Sequence, residues 1–454
     1  MSATVTAPPS STAPAERPWL DRPLASYYLL LGSAGLLLVL GLVMVLSASS
    51  VRSFVSTGTP YDIFRRQLIW VGLGLPALWL GLRMKVRTYR LLSYPLLLIS
   101  TTLMALVLVP GIGVTVRGST RWLDLGPLWL QPSELAKVGL ALWGADLLVR
   151  KRLLLTSWKH LLIPLVPVGA LEFALVMAEP DLGTTLCLII VVFALLFFVG
   201  APLRLFALLC AAMVSVVAVV IAVEPYRMAR VTGFLHPFSD PQSSGFQAVQ
   251  GIYSLSSGGW WGVGLGGSSG KWNVPNAYTD YIFAIIGEEL GLMGALLVLA
   301  LFAVFAYAGI RVARRSADPF VRLVAGAVTV WLVGQAIINI GYVVGLLPVT
   351  GIPLPLISFG GTSLVLTMFV VGMLASFARA EPQAAAAIAA RGLTRWSRLL
   401  LLPVPQPTPQ PTTGPARRRA AGTSAGRPAA PSPAAPSPAA RPAGRSPGGR
   451  PPRR

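Results

Sequence analysis

Apolar runs about as long as a bilayer is thick recur along this chain, and they constrain its fold more than any other feature. A helix needs roughly 20 residues at about 1.5 Å rise to cross the hydrocarbon core. Ten segments fit: 26–49, 65–82, 91–109, 134–149, 160–178, 183–199, 203–223, 280–310, 320–346 and 358–378. The second, fourth and sixth are short. Charge is scarce, at 12% of 454 residues against 54% hydrophobic, and mean hydropathy is +0.69. A soluble chain carries about 25% charge, so a string of soluble domains is excluded. The expected fold class is an all-α polytopic membrane protein of ten transmembrane helices, with a large extracytoplasmic loop between the seventh and eighth.

The formal net charge of +21 suggests nucleic acid until the charges are located. Residues 381–454 hold twelve arginines and one glutamate. This Pro/Ala/Arg-rich stretch cannot bury enough apolar surface to pack, and it reads as a disordered tail able to touch anionic lipid or an acidic partner. Residues 1–23 read as a disordered arm rather than a targeting sequence, leaving 24–380 as the membrane domain. The loops 83–90, 150–159, 200–204 and 311–319 carry twelve basic residues, whereas the much longer alternate set carries eight. The dense set belongs in the cytoplasm, with both termini, and loop 224–279 then faces outward. The basic excess marks topology, and no nucleic-acid partner is expected.

Cysteine and histidine contribute little. Cys187 and Cys210 lie in apolar runs, and His160 and His236 fall at opposite ends of predicted helices. Acids are more informative, because ten of the sixteen lie in or beside outward loops. Carboxylate chemistry, if any, is therefore external, and an acid at a membrane helix is a functional candidate by default.

Four segments gather the candidates. Gly118–Lys137 closes the third outer loop. In it Pro132 suits a helix start, and Ser133 and Glu134 suit either capping or ligand binding. Lys137, one turn into an apolar helix, needs a carboxylate or an anionic ligand. Glu179-Pro-Asp181 places two acids in a tight turn, where a helix cap competes with a weak metal signal. In the long loop, Arg227 and Arg230 suit a phosphate fork. Seven glycines between Gly258 and Gly270, ending at Lys271, allow backbone to approach an anion. The G-x-S-x-G and P-loop matches there lack their required context. Last, Asp280 opens the eighth span beside Ile282 and Phe283, where it serves as either an N-cap or a general base.

These segments together resemble one family, the SEDS (shape, elongation, division and sporulation) membrane proteins. The resemblance covers residues 24–380. It rests on GSTRWLDLGPLWLQPSELAK (118–137), EPDLGTT (179–185), RVTGFLHPFSD (230–240), GFQAVQGIYSLSSGGWWGVGLGGSSGKW (245–272), YTDYIFAIIGEELGLMG (278–294) and GLLPVTGIPLPLISFGGTS (345–363). The start at 22–51 and the basic tail are more similar to FtsW of actinobacterial type than to RodA.

The resemblance implies an inverting glycosyltransferase that polymerises lipid II into β-1,4 peptidoglycan strands outside the cytoplasmic membrane, at the division septum. It implies a class B penicillin-binding protein and other divisome proteins as partners. Asp280, in the family's TD motif, is then the catalytic residue. Arg230 and Lys137, followed by Arg227, Arg121 and Lys271, are candidates to stabilise the departing pyrophosphate, with Ser133 and Glu134 beside them. A divalent cation (Mg or Mn) could assist, although no dedicated metal cage is present. Many relatives carry Pro-Glu before the TD motif. Here Asn276 takes the place of that glutamate and cannot act as a base. A flippase built on Glu172, Gln335 and Asn339, a non-catalytic division scaffold and a RodA-like elongation polymerase remain the competing readings.

Overall fold

The computed structural model describes residues 22–116, 119–124, 126, 129–154, 158–223, 234, 238 and 245–405. Every one of the ten apolar segments is helical. The long helices are α1 (Ala25–Thr57), α2 (Asp62–Arg83), α3 (Val86–Val107), α4 (Pro132–Arg150), α6 (Leu165–Ala178), α7 (Leu182–Val199), α8 (Leu203–Val223), α11 (Ile282–Arg315), α12 (Pro319–Val343) and α13 (Thr362–Arg379). Shorter helices are α5 (Trp158–Leu162), α9 (Phe246–Ser257), α10 (Gly270–Asn273), α14 (Pro382–Arg391) and α15 (Arg395–Leu399).

Seven helices among the described residues are long and apolar enough to cross a membrane: α1, α3, the stretch Lys159–Ala178 through α6, α7, α11, α12 and α13. The chain is thus a multi-pass membrane protein. The expected spans 65–82, 134–149 and 203–223 fall outside that set for separate reasons. α2 opens on Asp62, Arg65 and Arg66, and α4 carries Glu134, Lys137, Asp146 and Arg150, whereas α8 is itself a 21-residue apolar helix, Leu203–Val223, whose side chains are described without a break only over Leu203–Ala212.

Several boundaries differ from the sequence reading. α1 continues to Thr57 rather than 49, where Gly58 (φ 74°) ends it in the left-handed conformation. α13 starts at Thr362, not 358, because the preceding Pro353–Gly361 stretch is irregular. The loop 110–133 holds an antiparallel three-stranded sheet of β1 (Gly113–Val116), β2 (Ser119–Asp124) and β3 (Trp129–Leu130). Its first hairpin pairs Val116 with Ser119.

Helices pack closely where small residues face each other, as membrane bundles require in the absence of a hydrophobic driving force. A Cβ at Gly372 of α13 would collide with the Leu78 carbonyl of α2, and one at Gly81 would collide with the Phe369 carbonyl. α11 is broken at Gly291 (φ 66°, ψ −165°), so Ile282–Leu290 is a short, almost wholly buried helix ahead of the long one. The break admits loop 258–264 against it: Leu292 N donates to Gly259 O at 3.0 Å and Val263 N to Glu288 O at 3.0 Å.

Asp280 and the β-sheet lie at one end of the bundle. At the other end, Arg90 pairs with Asp318 at 2.5 Å and Ser376 Oγ donates to Met84 O at 3.1 Å. Ordered structure there runs past the expected boundary at 380. Ala384, Ala385 and Ile388 form a buried face on α14, and Leu402 is buried too. The remaining tail, 406–454, and residues 1–21 lie outside the described residues.

Glu381 starts this segment, 2% exposed and near Arg311 and Arg315. Burial pushes its carboxyl up from 4.5 to about 7, and the two guanidinium groups offset only part of that. The raised value favours the protonated form in the folded state. Its stabilising contribution is therefore complete below about pH 4.5 and is lost as pH rises through about 7. Thermal unfolding in detergent is expected to show stability falling across that window. Glu381→Gln should remove its share of the slope and melt higher than the parent above pH 7. An unchanged slope contradicts the assignment.

Candidate active site

The chain around Asp280 is fixed through its backbone. Three consecutive carbonyls are occupied: Tyr278 O accepts from Phe359 N (3.0 Å), Thr279 O from Ser358 Oγ (2.7 Å), and Asp280 O from Asn339 Nδ2 (2.9 Å) and Tyr342 OH (3.0 Å). Asn339 and Tyr342 also donate to Ile352 O, at 2.7 and 2.8 Å, tying segment 278–280 to segment 350–354. One turn along α12, Gln335 Nε2 donates to Pro353 O at 2.9 Å, while its Oε1 accepts from Trp331 Nε1 at 3.1 Å. Such irregular backbone survives at a membrane only when its polar groups are satisfied by protein.

This scaffold leaves the Asp280 side chain half-buried at the bundle end. The expected N-cap role is not taken, because the N-cap of α11 is Tyr281, without a side-chain cap bond. Gly351, in the left-handed region (φ 74°), lies beside the carboxylate: a Cβ there would stand 3.7 Å from Oδ2.

The Gly118–Lys137 and Glu179–Asp181 segments adjoin one another and the Asp280 scaffold. Asp181 is a helix cap, accepting from Thr184 N (3.0 Å) and Thr184 Oγ1 (2.8 Å). It also pairs with Arg121 Nη1 at 3.3 Å and accepts from Gln131 Nε2 at 3.4 Å. Arg121, on β2, further donates to Pro180 O at 2.7 Å. Contact with the Asp280 scaffold passes through Gly183, where a Cβ would approach Thr350 O within 2.9 Å. Glu179 is fully buried with both carboxylate oxygens lacking a hydrogen-bond partner among the described residues. Burial and the neighbouring Asp181 push its carboxyl up to about 8 against the pull of Arg121, so it is mostly protonated at neutral pH.

Ser133, Glu134 and Lys137 sit in the first two turns of α4. Pro132 occupies the first turn as expected, but Gln131 is the N-cap and makes no side-chain cap. Ser133 is buried with its hydroxyl unpartnered among the described residues, so the expected capping by Ser133 is not made. Lys137 finds its carboxylate within its own helix. Nζ is 2.7 Å from Glu134 Oε1 and 4.9 Å over the Trp331 ring, with no exposed surface. The pair therefore joins α4 to α12 behind the site, and Lys137 must leave Glu134 to meet an anion.

Lys271 belongs to a neighbouring cluster. It donates to Gly266 O and stands 3.8 Å from Glu289 Oε1, which accepts from Ser47 Oγ of α1 at 2.6 Å. The glycine-rich loop does approach an anion, but that anion is Glu288 of α11. Its carboxylate accepts from Ser268 Oγ (2.6 Å), Ser269 N (2.8 Å), Ser269 Oγ (3.0 Å) and Gly270 N (3.2 Å). Arg227 and Arg230 lie outside the described residues. The sequence reading missed Tyr342 and Ser358. It noted Gln335 and Asn339, but as a translocation path. Among the described residues no group of three or more His, Cys, Asp and Glu could hold a metal ion, so no step below is routed through one.

Residues 27–383 match the profile of the cell cycle protein family of FtsW, RodA and SpoVE. The chain belongs to that family. It is 47% identical over 402 residues to the probable peptidoglycan glycosyltransferase FtsW of Mycobacterium tuberculosis, covering 88% of this chain and 77% of the relative. Stage V sporulation protein E of Bacillus subtilis is 37% identical over 345 residues, 76% of this chain and 94% of that one. Among solved structures, a peptidoglycan synthase complex that coordinates polymerization and crosslinking superposes with TM-score 0.65 at 30% identity, over 77% of this chain and 96% of its own. The rod shape determining protein RodA of Thermus thermophilus gives 0.59 at 27% identity, over 78% and 97%.

The buried pair in α4 is open to a direct test. Lys137→Met leaves Glu134 buried without its cation, which costs about 3–5 kcal/mol. Adding Glu134→Gln is expected to restore most of the loss in thermal unfolding. No recovery in the double variant means that Lys137 acts through other groups.

Proposed function

We propose that this FtsW/RodA/SpoVE family member is the peptidoglycan glycosyltransferase of cell division, polymerising lipid II into β-1,4 strands at the outer membrane face. The observation that carries the reading is the backbone clamp on residues 278–280. It holds one half-buried carboxylate beside Gly351, in the segment that Gly183 of the Glu179–Thr185 motif approaches at Thr350. The names of the FtsW relatives support the same activity.

An inverting transfer needs a base for the acceptor hydroxyl and positive charge for the leaving group. Asp280 takes the proton of the acceptor 4-hydroxyl. That oxygen forms the new bond to the donor anomeric carbon on the face opposite the departing group, and undecaprenyl pyrophosphate leaves with the bonding electrons. Of the described cations, Arg121 is the best placed to meet the pyrophosphate. It is part-exposed and already bridges β2 to the Glu179–Asp181 turn. Arg230 and Arg227 would supply the remaining charge, with Lys271 at the neighbouring cluster.

The topology in this reading is ten spans, with α2, α4 and α8 completing the apolar seven and residues 224–279 outward. Both termini are cytoplasmic, in keeping with the basic loops at the end opposite Asp280. A class B penicillin-binding protein partner follows from the likeness to a peptidoglycan synthase complex, and septal divisome proteins from the FtsW relatives. The flippase reading is less favoured, because Gln335 and Asn339 are spent holding backbone carbonyls rather than lining a path.

Purified protein with its partner should make glycan strands from lipid II. Asp280→Asn is expected to abolish strand synthesis while leaving the melting temperature within about 2 °C of the parent, a change of under about 1 kcal/mol. Undiminished synthesis by that variant rules out the mechanism. Arg230→Ala should raise the KM for lipid II about tenfold or more, the equivalent of roughly 1.4 kcal/mol, with unchanged thermal unfolding. Parallel loss of both would make Arg230 a structural residue.

A further inference from the structure

The segment after the last apolar helix turns back against the bundle. Trp79 Nε1, near the end of α2, donates to Leu400 O at 2.9 Å, and Arg379 Nη2 donates to Pro403 O at 3.2 Å. Leu402 is 3% exposed, packed on Leu82 and Ala375 with Tyr27, Leu31 and Leu78 around it. Trp79 stands four residues inside the end of α2, and Leu31 six residues inside the start of α1. At about 1.5 Å per residue, residues 400–402 lie roughly 6–9 Å up these helices. They stand level with the last turn of α2 and the first turns of α1.

Next to the buried Leu402, Leu399 (71%), Leu401 (63%) and Val404 (55%) are exposed. Arg391, Arg395 and Arg398 are exposed on the preceding turns. No acid follows Glu381, and nine more arginines lie in 406–454. Exposed leucines level with the helix ends, with arginines on the turns before them, are the pattern of an interfacial anchor, and the single sign of charge matches an anionic headgroup layer.

We propose that residues 391–404 anchor this end of the bundle in the adjacent lipid leaflet, with Leu399, Leu401 and Val404 among the acyl chains and Arg391, Arg395 and Arg398 on the phosphates of anionic phospholipid. This anchoring rests on the multi-pass fold alone and is independent of the catalytic reading.

The test uses the full chain in nanodiscs. Cys187 is buried, so a Cys210→Ser background leaves a single engineered thiol open to an environment-sensitive dye. Leu401→Cys and Leu399→Cys report the anchor, and Ala389→Cys, on the exposed side of α14, is the control. In bilayers of phosphatidylglycerol and phosphatidylcholine, dye at 401 and 399 should be quenched by nitroxide on the upper acyl chain and shielded from aqueous iodide. Dye at 389 should show the reverse. Arg395→Gln and Arg398→Gln are each expected to shift the lipid-to-water ratio about fivefold toward water, with little shift in phosphatidylcholine alone. Thermal unfolding unchanged from the parent confirms that these variants fold. Iodide access at 401 and 399 in both bilayers overturns the proposal. Shielding from both quenchers overturns it in favour of a protein cover, and indifference to anionic lipid overturns the arginine–phosphate part.

Discussion

Backbone polar groups inside or beside a bilayer have no water to turn to, and the candidate site depends on how that demand is met. Two irregular segments, 278–281 and 350–361, cross the end of the bundle with only isolated turn hydrogen bonds of their own. α12 supplies Gln335, Asn339 and Tyr342 to their carbonyls, and Ser358 supplies its hydroxyl. Each bond satisfies a carbonyl that would otherwise be buried at a cost of several kcal/mol. Together they fix the main chain of Asp280 without using its carboxylate. A general base needs its main chain held to within a fraction of an ångström, and this clamp does so while leaving the carboxylate half-buried at the bundle end.

The same requirement explains the order in which features could be read. Apolar run length is a local property, so a helix was legible in each of the ten segments, whereas the break at Gly291 and the interruption between α5 and α6 were not. Asp280 was legible as a candidate, because an acid at the mouth of an apolar helix is costly unless it has work to do. The clamp was not. Asn339 and Gln335 announce themselves as polar residues one turn apart on an apolar helix, but which backbone they serve depends on a loop that begins some ten residues later. Their pairing with Ile352 and Pro353 is tertiary information. The anchor after residue 380 was hidden for a similar reason. A Pro/Ala/Arg-rich composition reads as a disordered tail, and only the cleft between α1, α2 and α13 gives Leu402 somewhere to bury.

Charged residues at the Asp280 end divide into those already satisfied and those with capacity to spare. Glu288 is wrapped by Ser268, Ser269 and Gly270, and Glu134 is neutralised by Lys137. A glycine-rich loop ending in lysine looks like a phosphate cradle, yet here its amides are spent on an internal carboxylate. That shifts the burden of leaving-group stabilisation. A pyrophosphate drawing on the Gly266–Lys271 loop would have to displace Glu288, which accepts hydrogen bonds from two amides and two hydroxyls. A pyrophosphate meeting Arg121 displaces only a half-exposed guanidinium from Asp181, which keeps its bonds to Thr184. The cheaper exchange lies on the Arg121 side. In the proposed reaction the acid turn gains a purpose beyond capping, since Asp181 holds Arg121 until the pyrophosphate arrives.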